Sequence, residues 1–454
     1  MADETGSQRT LTYSAALNEA LREEMNRDPT VVVFGEDISV WGEDGGVFGV
    51  TKGLARDYGP ERVRDTPISE EGIVALGVGA AVAGLRPVVE LMYFDFVTLA
   101  MDPLVNQAAK LRYMFGGQAA VPLVVRSNIG ASGGKAAQHS QSLESWFIHI
   151  PGLKVAVPAT PSDAKGLLKT AIRDDNPVVF LEHKLLYFTK GPVSTGDECL
   201  PFGRAAIRRA GSDVTIVATQ AMLDVVADAA KSLARDGIEL EVIDPRTLVP
   251  LDIETIVESV RKTHRLLICH EAVERGGWAG EVAMQIIENA FDELDAPIAR
   301  VCGANVPMPY SAPLEDAVLP KAADVIDAID AMLGRKSTAG VPAPTSGVTA
   351  GSGVDEEHGD ASTSRRALNS RPVELLVPRL SDTMETGTVG QWQKAPGDRV
   401  KIGEPIVEIE TDKATVVLEG EVSGILDEIF AVSGEEVPVG GMLATIIPDE
   451  GRGR

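Results

Sequence analysis

Cysteine is scarce in this sequence, which has only Cys199, Cys269 and Cys302 among its 454 residues. These three lie too far apart to form a paired metal-binding motif, and they are too few for a disulfide framework. The first ten residues, MADETGSQRT, lack the basic and apolar regions of a signal peptide. Together these features favour a reducing compartment, and we expect a cytoplasmic protein.

Long apolar runs and positive charge are also scarce. The longest apolar run, 73–85, is followed by Arg86 and is shorter than the roughly 20 residues that span a bilayer. The 42 Lys and Arg residues are outnumbered by 67 Asp and Glu, which gives a formal net charge of −25. Nucleic acids and anionic membranes attract basic surfaces, so the sequence predicts neither as a partner.

The apolar content is nevertheless sufficient for several cores. Hydrophobic residues make up 44% of the chain, and at roughly 100–200 residues per domain its length predicts about three domains. One segment has a different composition: 22 of the 36 residues in 336–371 are Ala, Gly, Pro, Ser or Thr, and none is aromatic. Such a segment cannot bury enough apolar surface to offset its ordering entropy. We interpret it as a flexible linker with a mean span of about 30–36 Å.

Strand and helix patterns alternate before this linker. Apolar runs predict buried strands or packed helices at 31–34, 74–85, 122–126, 154–158 and 177–182. Helical periodicity follows at 161–173 and 220–236, with further strand signals at 214–219, 239–244 and 265–269. This alternation is typical of parallel α/β layers. A stretch punctuated by Pro and Gly, 190–203, divides them into predicted domains at 8–190 and 204–335.

The region after the linker contains an internal repeat with an offset of 37 residues. Nine positions in the first half recur in order in the second: Gly387, Val389, Trp392, Gly397, Asp398, Val400, Ile402, Gly403 and Ile406 match Gly424, Leu426, Ile429, Gly434, Glu435, Val437, Val439, Gly440 and Leu443. A duplicated half-domain of this length predicts two similar sheets that face each other in a small β-sandwich. The midpoint of the repeat predicts a hairpin turn at 411–414.

Three motifs in this region resemble those of lipoyl domains: LSDTMETGTV at 380–389, Gly-Asp at 397–398 and ETDKAT at 410–415. The resemblance covers 372–449 and implies that Lys413 carries lipoic acid in amide linkage. Related biotin domains have methionines beside the lysine, whereas Asp412 and Ala414 flank it here. Taken alone, Lys413 would be read as a solvated turn residue. A protruding turn on a rigid sandwich also gives a carrier lysine the access that it needs.

The segment RVRDTPISEEG at 62–72 stands out in the first domain. Locally it predicts a helix start, with Ser69 as N-cap and Glu70 and Glu71 in the first turn. It belongs to an ordered series with GGVFGVTKGL (45–54), DFVTLAMDPLVNQAAKLRYMFGG (95–117), AQHSQS (137–142), PGLKV (151–155), AIRDDNP (171–177) and VIDPRTLVPLD (242–252). Over roughly 8–333 the series resembles the β subunit of the heteromeric thiamine-diphosphate 2-oxo acid dehydrogenases, which include the acetoin dehydrogenases.

The resemblance implies an α/β fold: a transketolase-like pyrimidine-binding domain and a transketolase C-terminal domain, here followed by the small all-β lipoyl (biotinyl-like) sandwich. It also implies the roles of three residues. Glu70 hydrogen-bonds the aminopyrimidine of thiamine diphosphate, which requires an apolar site that keeps its carboxyl protonated near neutral pH. Phe96 lies against the pyrimidine ring. His139, in a stretch rich in Gly, Ala and Ser at 128–142, is an acid/base in acyl transfer to lipoyl sulfur, a task that suits imidazole.

AIRDDNP allows two interpretations. Its residues predict a helix end before Pro177. The resemblance implies in addition a structural potassium ion held by carbonyl groups of Leu123, Ala171 and Asp174 and by the Asn176 region.

One expected element is absent from the sequence. The diphosphate signature of this enzyme class is Gly-Asp-Gly followed about 25–30 residues later by Asn, and GEDGG at 42–46 has the wrong order. By the resemblance, a separate α subunit supplies the diphosphate and magnesium site, and two α chains assemble with two β chains.

The sequence therefore predicts the β subunit of a 2-oxo acid dehydrogenase that carries its own lipoyl arm, with pyruvate as the first substrate. An acetoin dehydrogenase is the nearest alternative, on RYMFGG (112–117) and EHKLLY (182–187), and a branched-chain enzyme is third. A noncatalytic acyl carrier or scaffold is the alternative from another functional class. The expected partners are the α subunit, an acyltransferase core and dihydrolipoamide dehydrogenase.

Overall fold

The computed structural model describes residues 8–39, 46–335, 372–378, 386–410, 415–420 and 422–448. The chain forms two compact units, 1–343 and 344–454. The predicted linker, 336–371, lies outside the described residues. Within the described ranges, every helix is too short or too polar to cross a membrane.

The first domain is built on a parallel sheet, as predicted from the alternating pattern. The strands of this domain, which include a separate two-stranded ribbon, are β1 (Gln8–Thr12), β2 (Val31–Gly35), β3 (Val63–Asp65), β4 (Arg86–Leu91), β5 (Val124–Ile129), β6 (Lys154–Ala156), β7 (Val178–His183) and β8 (Lys190–Ser194). Its helices are α1 (Tyr13–Arg27), α2 (Leu54–Tyr58), α3 (Glu70–Val82), α4 (Ala109–Met114), α5 (Glu144–Ile148) and α6 (Pro161–Arg173). The apolar run 74–85 therefore forms a packed helix rather than a strand.

The strands of the main sheet are ordered β6-β7-β5-β4-β2-β3, and all of these neighbours are parallel. Strands β1 and β8 pair antiparallel in a separate ribbon. Helix α6 begins and ends where the sequence predicts, because Thr160 caps its amide at Asp163 and Pro161 occupies the first turn. The carboxyl ends of parallel strands lie at one edge of the sheet, the usual location of functional groups in such folds.

The second domain has a five-stranded sheet. Its strands are β9 (Ala206–Arg209), β10 (Val214–Ala218), β11 (Leu240–Asp244), β13 (Leu266–Val273) and β14 (Ala299–Gly303), in the order β14-β13-β10-β11-β9. Only β9 pairs antiparallel with its neighbour. Its helices are α7 (Met222–Ala234), α8 (Ile253–Thr263), α9 (Ala279–Ala290), α10 (Ala312–Val318) and α11 (Ala322–Met332).

The two α/β domains form one body. Strand β12 (Thr247–Val249) belongs to the second domain in sequence but pairs antiparallel with β6, at the edge of the first domain's sheet. One apolar cluster runs from Val155 of the first domain to Ile243 of the second. The sequence analysis did not predict β12, because its partner strand lies about 90 residues earlier in the chain.

The C-terminal unit is a β-sandwich, and its topology confirms the predicted duplication. Its strands are β15 (Val373–Leu376), β16 (Thr386–Trp392), β17 (Arg399–Val400), β18 (Pro405–Glu410), β19 (Thr415–Glu419), β20 (Gly424–Ile429), β21 (Glu436–Pro438) and β22 (Met442–Pro448). They form two four-stranded sheets, β15-β22-β20-β17 and β19-β18-β16-β21. The 37-residue offset maps β16, β17 and β18 onto β20, β21 and β22, so the two sheets have equivalent strand orders.

Candidate active site

Glu70 is the first residue of α3 and is buried, with 4% of its surface exposed. Ser69 occupies the N-cap position, but its side chain makes no capping hydrogen bond. A simple capping role therefore does not account for this segment. Helix α3 packs on the 3₁₀ segment Phe94–Ala100 and on strand β4, which places the Glu70 carboxyl inside the domain.

Glu36 is a second buried carboxyl beside Glu70, and the sequence analysis missed it. It directly follows β2, at the carboxyl edge of the sheet, and is 7% exposed. Burial, the negative charge of Glu70 and Asp37, and a hydrogen bond with Glu70 raise the pKa of Glu36 to about 7. A carboxyl with a pKa near 7 is protonated in part of the molecules at neutral pH, so Glu36 can carry a proton there while it faces a second carboxyl.

The position of Glu36 could have been found from its place after a buried strand. VVVFG forms β2, and the acid after it lies at the same sheet edge as functional residues from neighbouring strands. At Gly35 strand β2 packs closely on strand β4, because a Cβ there would lie 2.5 Å from the carbonyl oxygen of Glu90. Oε1 of Glu36 is buried and has no hydrogen-bond partner. This oxygen is therefore available to accept a hydrogen bond from a further polar group.

His139 and Phe96 are in ring contact, with centroids 5.3 Å apart and an edge-to-face angle of 83°. Tyr93 contacts the same imidazole at 4.8 Å. Because α3 packs on the segment that contains Phe96, the structure brings two of the predicted site residues into contact and places the helix of the third beside them. Edge-to-face packing fixes the orientation of the imidazole.

Lys184 is a further polar residue at this site that the sequence analysis did not select. Its ammonium group donates a hydrogen bond to the backbone carbonyl of His139 and lies 5.0 Å from the centre of the Tyr93 ring. Burial is the main cause that lowers the pKa of Lys184 to about 8. Its side chain therefore links the end of β7 to the residue that carries the candidate imidazole.

A buried charge network lies behind the carboxyl pair. Arg126, on β5, donates to Glu90 at 2.6 Å and to both oxygens of Glu182 at 2.7 and 2.8 Å. The hydroxyl of Tyr187 donates to Glu182 at 2.8 Å. Two carboxylates are thus held around one fully buried guanidinium, which compensates their charge in the interior.

The residues predicted to hold potassium lie together near the end of α6. The Leu123 carbonyl accepts from the Val178 amide at 2.8 Å, and that of Ala171 accepts from the Asp174 amide at 3.3 Å. The Asp174 carbonyl accepts from Nη1 of Arg86 at 3.1 Å, and the Asp174 carboxylate accepts from Asn176 and from Lys154. These oxygens already have donors within the chain, and the potassium site stays a prediction.

Lys413 lies outside the described residues. The predicted turn at 411–414 also lies outside them, and the strands on either side of it, β18 and β19, pair antiparallel up to Glu410 and Thr415. Across the described ranges, no group of three or more His, Cys, Asp or Glu side chains is placed to bind a metal.

Comparison with known families gives three matches. Residues 9–190 match the transketolase pyrimidine-binding domain, residues 203–325 the transketolase C-terminal domain, and residues 373–446 the family described as "Biotin-requiring enzyme", which includes lipoyl domains. All three agree with the fold expected from the sequence.

Two curated relatives are about half identical to this chain over the residues that align. A mitochondrial pyruvate dehydrogenase E1 component subunit beta-1 from Oryza sativa is 48% identical over 322 residues, which are 70% of this chain and 85% of that protein. The subunit beta of acetoin:2,6-dichlorophenolindophenol oxidoreductase from Cupriavidus necator is 48% identical over 327 residues, 70% of this chain and 96% of that protein.

A solved structure supports the fold of the first unit. It is described as "split gene transketolase, inactive beta4 tetramer" and aligns with a TM-score of 0.60 at 24% identity, covering 71% of this chain and 99% of that one. At this identity the likeness concerns the fold alone.

Proposed function

The chain belongs to the family of pyruvate and acetoin dehydrogenase β subunits, and we propose that it is the β subunit of a thiamine-diphosphate-dependent 2-oxo acid dehydrogenase. The observation that carries this proposal is that two carboxyls, Glu36 and Glu70, are buried in the same domain in which Phe96 and His139 are in ring contact. The reaction is oxidative decarboxylation of pyruvate with transfer of the acyl group to a lipoyl disulfide.

The residues fit the cofactor that the family implies. Thiamine diphosphate, when bound, supplies the carbanion that adds to the 2-oxo carbonyl. Glu70 would offer its carboxyl to the ring nitrogen of the aminopyrimidine, and Glu36, whose pKa is raised to about 7, is placed to supply a proton to this site. Phe96 provides an apolar surface for the ring, since its side chain lies at the site and is held against His139.

His139 is the proton donor and acceptor for acyl transfer. The carbon left by decarboxylation uses its electron pair to bond to one sulfur of the lipoyl disulfide, and this breaks the S–S bond. That carbon is thereby oxidised to the acyl level, and the disulfide is reduced by two electrons to a thioester sulfur and a thiolate. The second sulfur then needs a proton, and the imidazole of His139 is the titratable group that the aromatic side chains hold at the site. Removal of this imidazole should therefore slow acylation more than decarboxylation.

We further propose that the enzyme is completed by other chains and groups. A separate α subunit supplies the diphosphate and magnesium site in an assembly of two α and two β chains, and the names of both curated relatives describe them as subunits. Lys413 carries lipoic acid on the fused domain and passes acyl groups to an acyltransferase core, with dihydrolipoamide dehydrogenase reoxidising the arm. Potassium at Leu123, Ala171, Asp174 and Asn176 remains part of the proposal, as does a cytoplasmic location.

Acetoin dehydrogenase is the second candidate function, because a relative of that name is as similar as the pyruvate dehydrogenase subunits. EHKLLY also places Lys184 beside His139, where a buried cation adjoins the reaction site. A branched-chain substrate is third. A noncatalytic acyl carrier does not need the buried carboxyls of Glu36 and Glu70, so their burial argues against that function.

Co-expression of this chain with its α subunit tests the proposal. The complex should release carbon dioxide from pyruvate faster than from branched 2-oxo acids, and it should consume acetoin slowly. Glu70→Gln should abolish turnover with folding unchanged. Full activity of this variant would instead favour the carrier or scaffold role.

A further inference from the structure

The loop that carries His139 is not stabilised by regular secondary structure. Residues 130–139 follow β5 and contain no helix or strand. Gly130, Gly133, Gly134 and Ala136 all have positive φ angles, of +88°, +78°, +71° and +59°. A left-handed backbone at Ala136 is strained for a residue with a Cβ, so contacts from outside the loop must stabilise this conformation.

Glu315 of the second domain supplies two of these contacts. Its carboxylate oxygens accept separately from consecutive amides: Oε1 from Gly133 and Oε2 from Gly134, both at 2.8 Å. The side chain is on α10 and is only 6% exposed. Two hydrogen bonds from one buried carboxylate fix both the position and the direction of this part of the backbone.

Glu271, on β13 of the second domain, supplies the next contact. Its Oε1 accepts from the Ala131 amide at 2.6 Å, and its Oε2 is hydrogen-bonded to Nε2 of His183 at 2.7 Å. Burial opposes ionisation, but His183 and the Ala131 amide lower the pKa of Glu271 below its ordinary value. The loop packs tightly on the same imidazole, since a Cβ at Gly130 would lie 2.1 Å from Nε2 of His183.

The opposite end of the loop is held from within the first domain. Lys184 donates to the backbone carbonyl of His139 itself. His139 thus lies at the end of a segment whose start is fixed by two carboxylates of the second domain and whose end is fixed by one lysine of the first.

We propose that Glu271 and Glu315 are positioning residues through which the second α/β domain places His139 for acyl transfer to the lipoyl group. The inference deepens the proposed function and rests on it. Neither carboxylate touches Glu36 or Glu70 through any described hydrogen bond, and α3 is not part of the loop. Loosening the loop therefore misplaces the imidazole and leaves the carboxyls of Glu36 and Glu70 where they are.

The two half-reactions separate these roles. In turnover with an oxidising dye, 2,6-dichlorophenolindophenol, decarboxylation is followed by electron transfer to the dye and no lipoyl sulfur is protonated. Turnover with lipoamide also requires proton delivery by His139. The test uses the complex of this chain with its α subunit and the variants Glu315→Gln and Glu271→Gln. These replacements keep the side-chain volume but put an NH₂ group opposite an N–H donor: the Gly133 or Gly134 amide in Glu315→Gln, and the Ala131 amide or the His183 ring N–H in Glu271→Gln. Asp316→Asn is the matched control, because Asp316 is exposed on the same helix and pairs with Lys321 instead.

Both glutamine variants should keep dye-coupled turnover within about twofold and lose about tenfold or more of lipoamide-coupled kcat, the effect of losing a charge-assisted hydrogen bond. The KM for pyruvate should not change. Amide hydrogen exchange at residues 131–134 should accelerate by a similar factor in the variants and stay at the wild-type rate in Asp316→Asn.

Exchange does not depend on activity, so it tests the contact even if the wild-type complex fails to decarboxylate pyruvate, a result that would reject only the proposed function. Equal losses in both assays, no loss in either, or unchanged exchange at residues 131–134 would overturn the positioning role of the two carboxylates.

Discussion

The raised pKa of the buried Glu36 carboxyl predicts an unusual dependence of stability on pH. The pKa of Glu36 rises from 4.5 to about 7 on folding, a change equivalent to about 3 kcal/mol. Because the pKa is raised in the folded state, folding takes up a proton. The resulting stability is fully present below pH 4.5, is lost progressively as the pH rises to about 7, and is absent above that value.

Glu36→Gln removes this titration and the like-charge repulsion from Glu70. The variant should therefore be as stable as the wild type near pH 4.5 and more stable by up to about 3 kcal/mol at pH 8. Denaturant unfolding of the chain between pH 4.5 and 8.5 measures the difference, and Glu258→Gln, an exposed residue on α8, is the control.

A stability difference between Glu36→Gln and the wild type that is constant across this pH range would refute the raised pKa of Glu36. The same variant should lower decarboxylation in the complete enzyme, because it removes a proton donor from the site. Greater stability with less activity is typical of a strained catalytic group.

Three further predictions concern other parts of the molecule. Arg126→Met leaves two buried carboxylates without their guanidinium and should destabilise the first unit by about 3–5 kcal/mol, measured by denaturant unfolding; unchanged stability would show that the network is solvated. Gly130→Ala should lower the free energy of unfolding by about 1–3 kcal/mol and slow acyl transfer. Gly59→Ala is the control in thermal unfolding and should cost less, because Gly59 also has a positive φ but an added Cβ would have nothing within 4 Å. Lys413→Arg should abolish the mass increase of lipoylation in chain produced with a lipoyl ligase, and an unmodified wild-type chain would contradict the carrier role.

Local signals in the sequence predicted most of the secondary structure. The helical periodicity at 161–173 coincides with α6, whose start is stabilised by the Thr160 cap and by Pro161 in the first turn. The repeat offset predicted the equivalent strand orders of the sandwich, since each half has the same pattern of glycines and apolar residues.

The parts that were missed depend on contacts between distant residues. Glu271 and Ala131 are 140 residues apart, and Glu315 and Gly133 are 182 apart. No local pattern distinguishes such carboxylates from surface acids. Glu36 was missed for a different reason: its function depends on a neighbour, Glu70, that only the sheet edge brings beside it.

The most direct test of the account is decarboxylation of pyruvate by this chain with its α subunit, by each chain alone, and by the complex with Glu70→Gln. We predict magnesium-dependent release of carbon dioxide by the wild-type complex only, with a loss of about 100-fold or more in the variant. Decarboxylation by the isolated β chain, or undiminished turnover of the Glu70→Gln complex, would contradict it.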